Sequence, residues 1–291
     1  MSNMEKGRII KIVSNRYVVL TQQEERLLCV AMGKLRKHQS PVVGDIVEFE
    51  RFSDQNGIQK ILPRKNELVR PAIANVDQAI IVMSAKDPDF STTLIDRLIF
   101  SICYADINPI LCITKLDLIE QEDPIHQAIE RYRNSGYEVY RSGKGYASEE
   151  IIAALKGKIS VLTGQSGAGK SSLLNRIDPT FHLQTQEISK ALGRGKHTTR
   201  HCELHEIAGG WVADTPGFSS LDFTSMQISQ LAQSIPDFKS ELFKCRFNDC
   251  IHVNEPDCAI RQAVDEGRIC KERYDHYLEI VEMIKQAKPK Y

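Results

Sequence analysis

One glycine-rich segment has the residue types and the spacing that bind phosphate groups. Residues 164–171 match the pattern G-x-x-x-x-G-K-[ST], between a strand-like run at 159–162 and a helix-like run at 172–177. In such a loop backbone N–H groups bind the α- and β-phosphates, Lys170 reaches the β- and γ-phosphate oxygens, and the Ser171 hydroxyl binds Mg²⁺. The alternative, a plain glycine turn before a helix, is disfavoured by the strand and helix on either side. The predicted phosphate-binding residues are Gly164, Gln165, Ser166, Gly167, Ala168, Gly169, Lys170, Ser171 and Ser172.

A second motif, Thr114-Lys115-Leu116-Asp117, has the [NT]-K-x-D pattern that reads a guanine base. In this position the Asp117 carboxylate accepts hydrogen bonds from guanine N1–H and from the exocyclic amine. Adenine has an acceptor at N1 and no 2-amine, so it would leave the carboxylate unpaired. Alone, the tetrapeptide would more often be a strand-to-helix turn, but beside a phosphate loop it predicts that the substrate is GTP.

Two details qualify the base site. Thr114 stands where Asn is commoner, so we expect this loop to lose an amide that would brace it, and nucleotide affinity to be modest. A further loop follows the strand-like run 137–140, and we predict that its backbone contacts guanine O6. The residues of that loop are Ser142, Gly143 and Lys144.

The segment DTPG at 214–217 predicts a sensor of the γ-phosphate. Asp214 ends the strand-like run 211–213 and reaches the Mg²⁺ shell through water. The Gly217 N–H bonds to the γ-phosphate only while that phosphate is present, which makes the segment a switch. Phe218 stands where many GTPases carry the glutamine that orients the attacking water, so we expect slow intrinsic hydrolysis.

A glycine-flanked basic loop at 193–201 contains two adjacent hydroxyl groups. General switch logic favours Thr199 over Thr198 as the residue that completes the Mg²⁺ sphere with Ser171. His197 is the best candidate to position the attacking water, and the alternative is a phosphate or RNA contact. The predicted catalytic residues are therefore Lys170, His197, Thr199 and Gly217.

The three nucleotide motifs occur in a rotated order along the chain. In an ordinary GTPase the phosphate loop comes first and [NT]-K-x-D comes near the end. Here 114–117 precedes 164–171, and 214–217 comes last. The same parts are joined through a different pair of termini, which predicts a circularly permuted P-loop GTPase domain.

A third set of residues, Cys245, Cys250, His252 and Cys258, has the spacing of a structural zinc site. Turn-forming residues between these ligands would fold them round one ion, and all four ligands would be protein atoms. Disulfides are the alternative. They fit poorly, because we see no signal peptide and no apolar run of 18 residues, and nucleotide motifs are typical of the reducing cytosol. We therefore expect a cytoplasmic protein.

The elements that position these residues predict three domains in 291 residues. Strand-like runs at 7–13, 16–20, 27–31, 45–49 and 57–61 predict a five-stranded barrel of the oligonucleotide-binding (OB) fold in residues 1–68. The permuted α/β GTPase domain would occupy residues 69–225. Residues 226–291 would form a helical zinc-binding domain with a long amphipathic stretch at 259–286. The predicted fold class is a multidomain α/β protein.

The charge distribution indicates a partner for the barrel. The formal net charge is zero, which argues against a protein that coats nucleic acid indiscriminately. Residues 1–70, however, carry 13 Lys and Arg against 8 Asp and Glu, with the densest run at 34–38. A solvated loop is the alternative, but an OB barrel with a basic loop predicts an RNA contact made through phosphates.

The joint pattern resembles the ribosome small-subunit-dependent GTPase A family (RsgA, also called YjeQ or YloQ) over essentially the whole chain. The resemblance rests on the permuted motif order, GRGKHTTRH before DTPGF, a barrel in front and Cys-x4-Cys-x-His-x5-Cys behind. It implies a bacterial cytoplasmic GTPase that acts late in maturation of the 30S subunit and is stimulated by that subunit. It also implies binding of 16S rRNA by the barrel and the zinc domain, and catalysis by His197. We expect a monomer without a membrane partner.

Two rival functions are weighed against this interpretation. A P-loop kinase for a small molecule would explain the phosphate loop and Mg²⁺, but it would not need TKLD, DTPG or a zinc tail. A GTP-dependent RNA-binding module with little catalysis would explain Phe218. GTP turnover with and without small ribosomal subunits separates these possibilities.

Overall fold

The computed structural model describes residues 4–33, 35, 40–69, 71–146, 148–180, 202–213 and 222–287. Contacts between these residues divide the chain into two compact units. The first unit comprises Met1–Gln78, Ser148–Leu162 and Ser171–Phe218, and the second comprises Ala79–Ala147, Thr163–Lys170 and Ser219–Tyr291. In the described part of the chain no helix is both long enough and apolar enough to cross a membrane.

Five strands of the first unit close into a barrel in the order β1-β2-β3-β5-β4. They are β1 (Glu5–Val13), β2 (Arg16–Thr21), β3 (Arg26–Ala31), β4 (Ile46–Arg51) and β5 (Asn56–Ile61). Alternate side chains point inward, so that Ile9, Val19, Phe49 and Ile58 form a core with no exposed surface. A Cβ atom at Gly7 would lie 2.4 Å from Val19 Cγ1, so glycine is required there. The predicted barrel is confirmed, with strand ends within two residues of the prediction.

Short strands and an α/β arrangement follow the barrel. The strands are β6 (Glu67–Leu68), β7 (Ile73–Ala74), β8 (Gln78–Ser84), β9 (Asn108–Thr114), β10 (Glu138–Arg141), β11 (Ile159–Thr163), β12 (Leu204–Ile207) and β13 (Gly210–Ala213). The helices are α1 (Thr92–Tyr104), α2 (Pro124–Asn134), α3 (Glu149–Leu155) and α4 (Lys170–Ile177). The six-stranded sheet has the order β10-β9-β8-β11-β13-β12. All seven residues of β8 are buried, which is why this strand reads as a continuous apolar run.

Local sequence signals explain how the connecting helices begin. The Ser91 hydroxyl caps α1 by accepting from the Leu94 N–H, and the Asp123 carboxylate caps α2 by accepting from Ile125. The strands β8, β9, β10 and β11 each end in a loop that leads into a helix. The loops after β9 and β10 carry the candidate base-binding residues of the second unit.

The C-terminal part of the second unit is helical. It contains α5 (Ile228–Ser234), a short 3₁₀ turn at Pro236–Phe238, α6 (Ala259–Asp265) and α7 (Lys271–Ala287). The sequence predicted one amphipathic stretch over 259–286, whereas the structure breaks it between α6 and α7. Gly267 lies in this break at a φ of +74°, a conformation that glycine adopts without strain and that ends a helix.

A buried ionic cluster holds α7 against α1. The Arg273 guanidinium donates from Nε to Asp96 Oδ1 at 3.1 Å and pairs through Nη1 with Asp237. The Arg273 Cζ atom lies 4.6 Å from the centroid of the Tyr132 ring and 4.9 Å from the centroid of the Tyr137 ring. The three charged side chains are 2–4% exposed. One cation thus pairs with two carboxylates between two aromatic rings.

A histidine of α7 also contacts this cluster. His276 Nδ1 lies 2.6 Å from Asp96 Oδ2, and this hydrogen bond raises the pKa of His276. Burial alone would lower the pKa of Arg273, but Asp237 and Asp96 outweigh burial and raise it. Because the folded-state pKa of His276 is raised, its stabilising contribution is present at low pH and is lost as the pH rises through that value.

We expect Arg273→Met to lower the free energy of unfolding by about 3–5 kcal/mol, because it removes the buried guanidinium that pairs with both the Asp96 and the Asp237 carboxylate. The matched control is Arg131→Met, since Arg131 is 48% exposed and pairs with Glu272 at 3.4 Å. The control should change stability little, because exposed pairs contribute little. Chemical denaturation measures the free energy of unfolding of both variants. If both lose the same amount, the buried cluster does not stabilise the protein more than an exposed ion pair does.

Candidate functional site

The predicted phosphate loop connects β11 to α4 and needs glycine for close packing. Gly164 has a φ of +120°, and a Cβ atom there would lie 2.0 Å from the Val82 carbonyl oxygen. Gly167 and Gly169 also have positive φ values, of +81° and +91°. Alternation of this kind turns backbone N–H groups to one side of a loop, which is the arrangement that binds phosphate oxygens.

Lys170 reaches across this loop from the first turn of α4. Its Nζ donates to the carbonyl oxygens of Gly164 at 2.8 Å and Gln165 at 2.6 Å. The ammonium group therefore lies over the loop. When a nucleotide binds, it can exchange these carbonyl acceptors for β- and γ-phosphate oxygens. Ser171 and Ser172 follow on the exposed side of the same turn.

Thr114 ties the base motif to the phosphate loop. Its hydroxyl group donates to the Ala168 carbonyl oxygen at 2.6 Å and lies 3.3 Å from that of Met83. The position lacks the amide, as the sequence shows, but it keeps a hydrogen-bonded connection to the phosphate loop. The Thr114 hydroxyl group makes the hydrogen bond to the phosphate loop that an Asn amide was expected to make. It can do so because the buried Thr114 side chain lies next to the backbone of that loop. The expected modest nucleotide affinity stays a prediction.

Lys115 extends the connection to a loop that the sequence motifs do not mark. Its Nζ donates to the Asp87 carbonyl oxygen, in the segment between β8 and α1. A Cβ atom at Gly167 would lie 3.7 Å from Pro88 Cδ, so this segment also lies beside the phosphate loop. Sequence reasoning could have found this segment from its position directly after the buried strand β8, because ligands of α/β sheets bind at the carboxyl ends of the strands.

The loop predicted to contact guanine O6 lies at the Asp117 carboxylate. Lys144 N–H donates to Asp117 Oδ1 at 3.2 Å, and Ser142 N–H donates to the Ile113 carbonyl oxygen at 2.8 Å. A Cβ atom at Gly143 would lie 2.5 Å from Asp117 Oδ1, so this position needs glycine. Because β10 is parallel to β9, the ends of both strands bring these two loops together.

Several predicted site residues lie outside the described residues. They are His197, Thr198, Thr199, Asp214, Gly217 and Phe218, together with the basic run at 34–38 apart from Leu35. Leu35 is partly buried and packs against the barrel core. The proposed roles of the other residues rest on their sequence motifs.

The four predicted zinc ligands come together in the second unit. The sulfur atoms of Cys245, Cys250 and Cys258 and one ring nitrogen of His252 lie within 4.8 Å of one another. Cys245 Sγ is 3.6 Å from His252 Nδ1 and 3.9 Å from Cys258 Sγ. A tetrahedral zinc ion with Zn–S and Zn–N bonds of about 2.3 and 2.1 Å would set its ligands about 3.5–3.8 Å apart. The donor set fits this ion.

Hydrogen bonds hold the loop of the cluster in its folded form. The Glu255 carboxylate accepts N–H groups from Ile251, Val253 and Asn254 at 2.8–3.1 Å. His252 has a φ of +60°, and its carbonyl oxygen accepts from the Tyr274 hydroxyl group of α7 at 2.7 Å. The loop is therefore organised by groups other than the four candidate ligands.

Burial determines the protonation of the cluster. Burial raises the pKa of the Cys250 thiol to about 12 and lowers the pKa of His252. The imidazole is therefore neutral, as a ligand must be, whereas the thiols must release protons when they bind a divalent cation. Metal binding would compensate the cost of burying the thiolates.

We expect the purified protein to carry one zinc ion, and Cys250→Ser to reduce both the zinc content and the stability of the C-terminal region. The control is Cys270→Ser, because Cys270 is outside the four-residue cluster. Elemental analysis and thermal unfolding measure these effects. A Cys250→Ser protein with full zinc content would contradict the proposed ligand set.

Comparisons with known proteins show which family the chain resembles. A model of the RsgA N-terminal domain matches residues 6–58, and a model of the RsgA GTPase matches residues 61–224. The chain is 48% identical to the small ribosomal subunit biogenesis GTPase RsgA of Bacillus subtilis, over 99% of this chain and 100% of that protein. It is 47% identical to the protein of that name from Geobacillus kaustophilus, with the same coverage.

Two solved structures share the fold. The crystal structure of YloQ, described as a circularly permuted GTPase, aligns with a TM-score of 0.84 at 42% identity. That alignment covers 99% of this chain and 98% of YloQ, and it confirms the predicted permuted fold. YjeQ from Thermotoga maritima aligns with a TM-score of 0.82 at 33% identity, over 97% of this chain and 98% of that chain.

Proposed function

Since the chain belongs to the RsgA GTPase family, we propose that it hydrolyses GTP to GDP and phosphate in late maturation of the small ribosomal subunit. The observation that carries this proposal is the joined nucleotide site. Thr114 bonds to the phosphate loop at Ala168, and the Asp117 carboxylate meets the loop at Lys144. A base-reading motif and a phosphate-binding loop joined in this way would face one nucleotide, and the base motif would favour GTP over ATP.

The nucleotide would be bound with Mg²⁺, whose ligands we assign to Ser171 and Thr199. The ion would neutralise charge on the β- and γ-phosphates, while Lys170 contacts their oxygens. Asp214 would hold the Mg²⁺ shell through water, and the Gly217 N–H would sense the γ-phosphate. Motif identity supports these roles, together with the position of Lys170 over the phosphate loop.

The proposed partners are the 30S subunit and its 16S rRNA. Residues 1–68 would act as an RNA-binding domain, 69–225 as the GTPase domain, and 226–291 as a domain organised by one structural zinc ion. The basic balance of residues 1–70 supports the RNA contact. We further propose that the chain is cytoplasmic and acts as a monomer.

The second candidate function is a GTP-dependent RNA-binding module with little catalysis. Phe218 favours it, because the residue occupies the position at which many GTPases carry the glutamine that orients water. The deciding experiment measures GTP hydrolysis by the full chain alone, with 30S subunits and with 50S subunits. Stimulation by 30S alone supports the maturation GTPase, whereas equal, negligible turnover in all three would favour the binding module.

We expect Asp117→Asn to weaken GTP binding and to admit xanthosine triphosphate. The 2-oxo group of xanthine is an acceptor that suits the new amide, whereas the guanine amine loses its carboxylate partner. Titrations with both nucleotides measure the change in preference. An unchanged preference for GTP in this variant would reject the role assigned to Asp117.

A further prediction separates binding from chemistry. His197→Ala should retain GTP affinity and lose about 10²-fold or more of the 30S-stimulated turnover, because the attacking water is no longer positioned. Lys170→Ala should instead weaken GTP binding itself. If the His197 variant keeps nearly normal stimulated turnover, the histidine is a phosphate or RNA contact.

A further inference from the structure

Phe243 is presented to solvent by a strained backbone. Its surface is 81% exposed, and its φ is +66°, in the left-handed region that bulky residues rarely adopt. A residue held in this region costs stability that glycine would not cost, and such strain is concentrated at functional sites. The turn therefore displays an aromatic ring that contributes nothing to the core.

A second exposed ring follows in the same turn. Phe247 is 41% exposed, and the Arg246 guanidinium carbon lies 5.5 Å from its ring centroid. Lys244 and Arg246 have side chains that are 60% and 64% exposed. We call Phe243, Lys244, Arg246 and Phe247 the aromatic–basic turn. Residues 239–247 carry three basic side chains and one acidic side chain. Arg246 also pairs with Asp257 at 3.2 Å, but both side chains are exposed, so the guanidinium can exchange this carboxylate for a phosphate.

The aromatic–basic turn is held by groups on both sides of it. Cys245, one of the four clustered ligands, lies at its centre. The Lys244 N–H bonds to the Glu241 carbonyl oxygen and the Cys250 N–H bonds to that of Phe247, each at 3.3 Å. The Glu241 carboxylate pairs with Arg268 and Lys244, so it is already neutralised. A turn arranged in this way loses little conformational entropy when it binds a partner.

We infer that Phe243 and Phe247 are a stacking platform for unpaired RNA bases, while Lys244 and Arg246 contact the neighbouring phosphates. Flat exposed rings with adjacent cations suit single-stranded RNA, whose unstacked bases pack on aromatic side chains. In the sequence the two rings flank the two cations, so that bases and neighbouring phosphates can be contacted by one turn. The inference rests on the proposed function, which supplies the RNA.

The test compares substitutions of Phe243 in the full chain, with protein-free 16S rRNA and with 30S subunits as probes. Phe243→Tyr keeps the ring and should bind both like the wild type. Phe243→Leu keeps the apolar character and the backbone strain but loses the ring, so its affinity for both should fall about 5–150-fold, the range for loss of one stacked base. Phe247→Leu should lose affinity to a similar extent.

Two controls separate the role in binding from a role in structure. Phe243→Gly removes the ring and relieves the strain, so it should lose RNA affinity while its thermal midpoint stays equal or rises. Val69→Ser changes a side chain that is also 81% exposed but lies outside the turn, and it should bind RNA normally. Zinc content should be unchanged in every variant.

Three results would overturn the inference. Phe243→Leu binding like the wild type would show that the ring is not stacked. Loss of affinity for 30S subunits, with unchanged affinity for protein-free 16S rRNA, would assign the turn to a protein partner. A wild-type chain that does not bind protein-free 16S rRNA would also overturn it. Failure of the proposed function is distinguishable, because wild-type turnover would then not respond to 30S.

Discussion

The Arg273 guanidinium is the interaction on which the C-terminal region depends. It is buried between the Asp96 carboxylate of α1 and the Asp237 carboxylate of the 3₁₀ turn, with tyrosine rings on its faces. A buried cation is tolerated only when carboxylates and hydrogen bonds replace its lost hydration. The geometry of the cluster therefore permits few relative positions of α1, α7 and the turn.

This constraint extends to the candidate zinc site because α7 has two contacting faces. Arg273 and His276 contact Asp96 on α1, whereas Tyr274 and Tyr277 donate to the carbonyl oxygens of His252 and Ile251. Helix α7 thus fixes the position of the candidate zinc-ligand loop relative to α1. A zinc ion would stabilise a loop whose position the buried ion pairs already determine.

The sequence predicted the features that depend on local pattern and missed those that depend on distant side chains. Short strand-like runs predicted the barrel strands, and ligand spacing predicted the Cys and His cluster. Arg273 lies among charged residues of a helix, where sequence alone indicates a solvated surface. Only the fold brings it to Asp96, 177 positions earlier in the chain. The hydrogen bond of the Thr114 hydroxyl group was missed for the same reason, since its acceptor, the Ala168 carbonyl oxygen, is 54 positions away.

The bond between Thr114 and Ala168 also explains why a rotated motif order preserves the site. The base motif and the phosphate loop are joined by a side-chain hydrogen bond, and Lys115 joins the base motif to the Asp87 carbonyl oxygen. These connections depend on neighbouring positions in the fold and not on which motif the chain reaches first. Permutation therefore leaves the contacts between these motifs intact. Its effect is on the covalent connection of the predicted γ-phosphate sensor at 214–217, which in the sequence is followed by the region that carries α7 and the candidate zinc ligands.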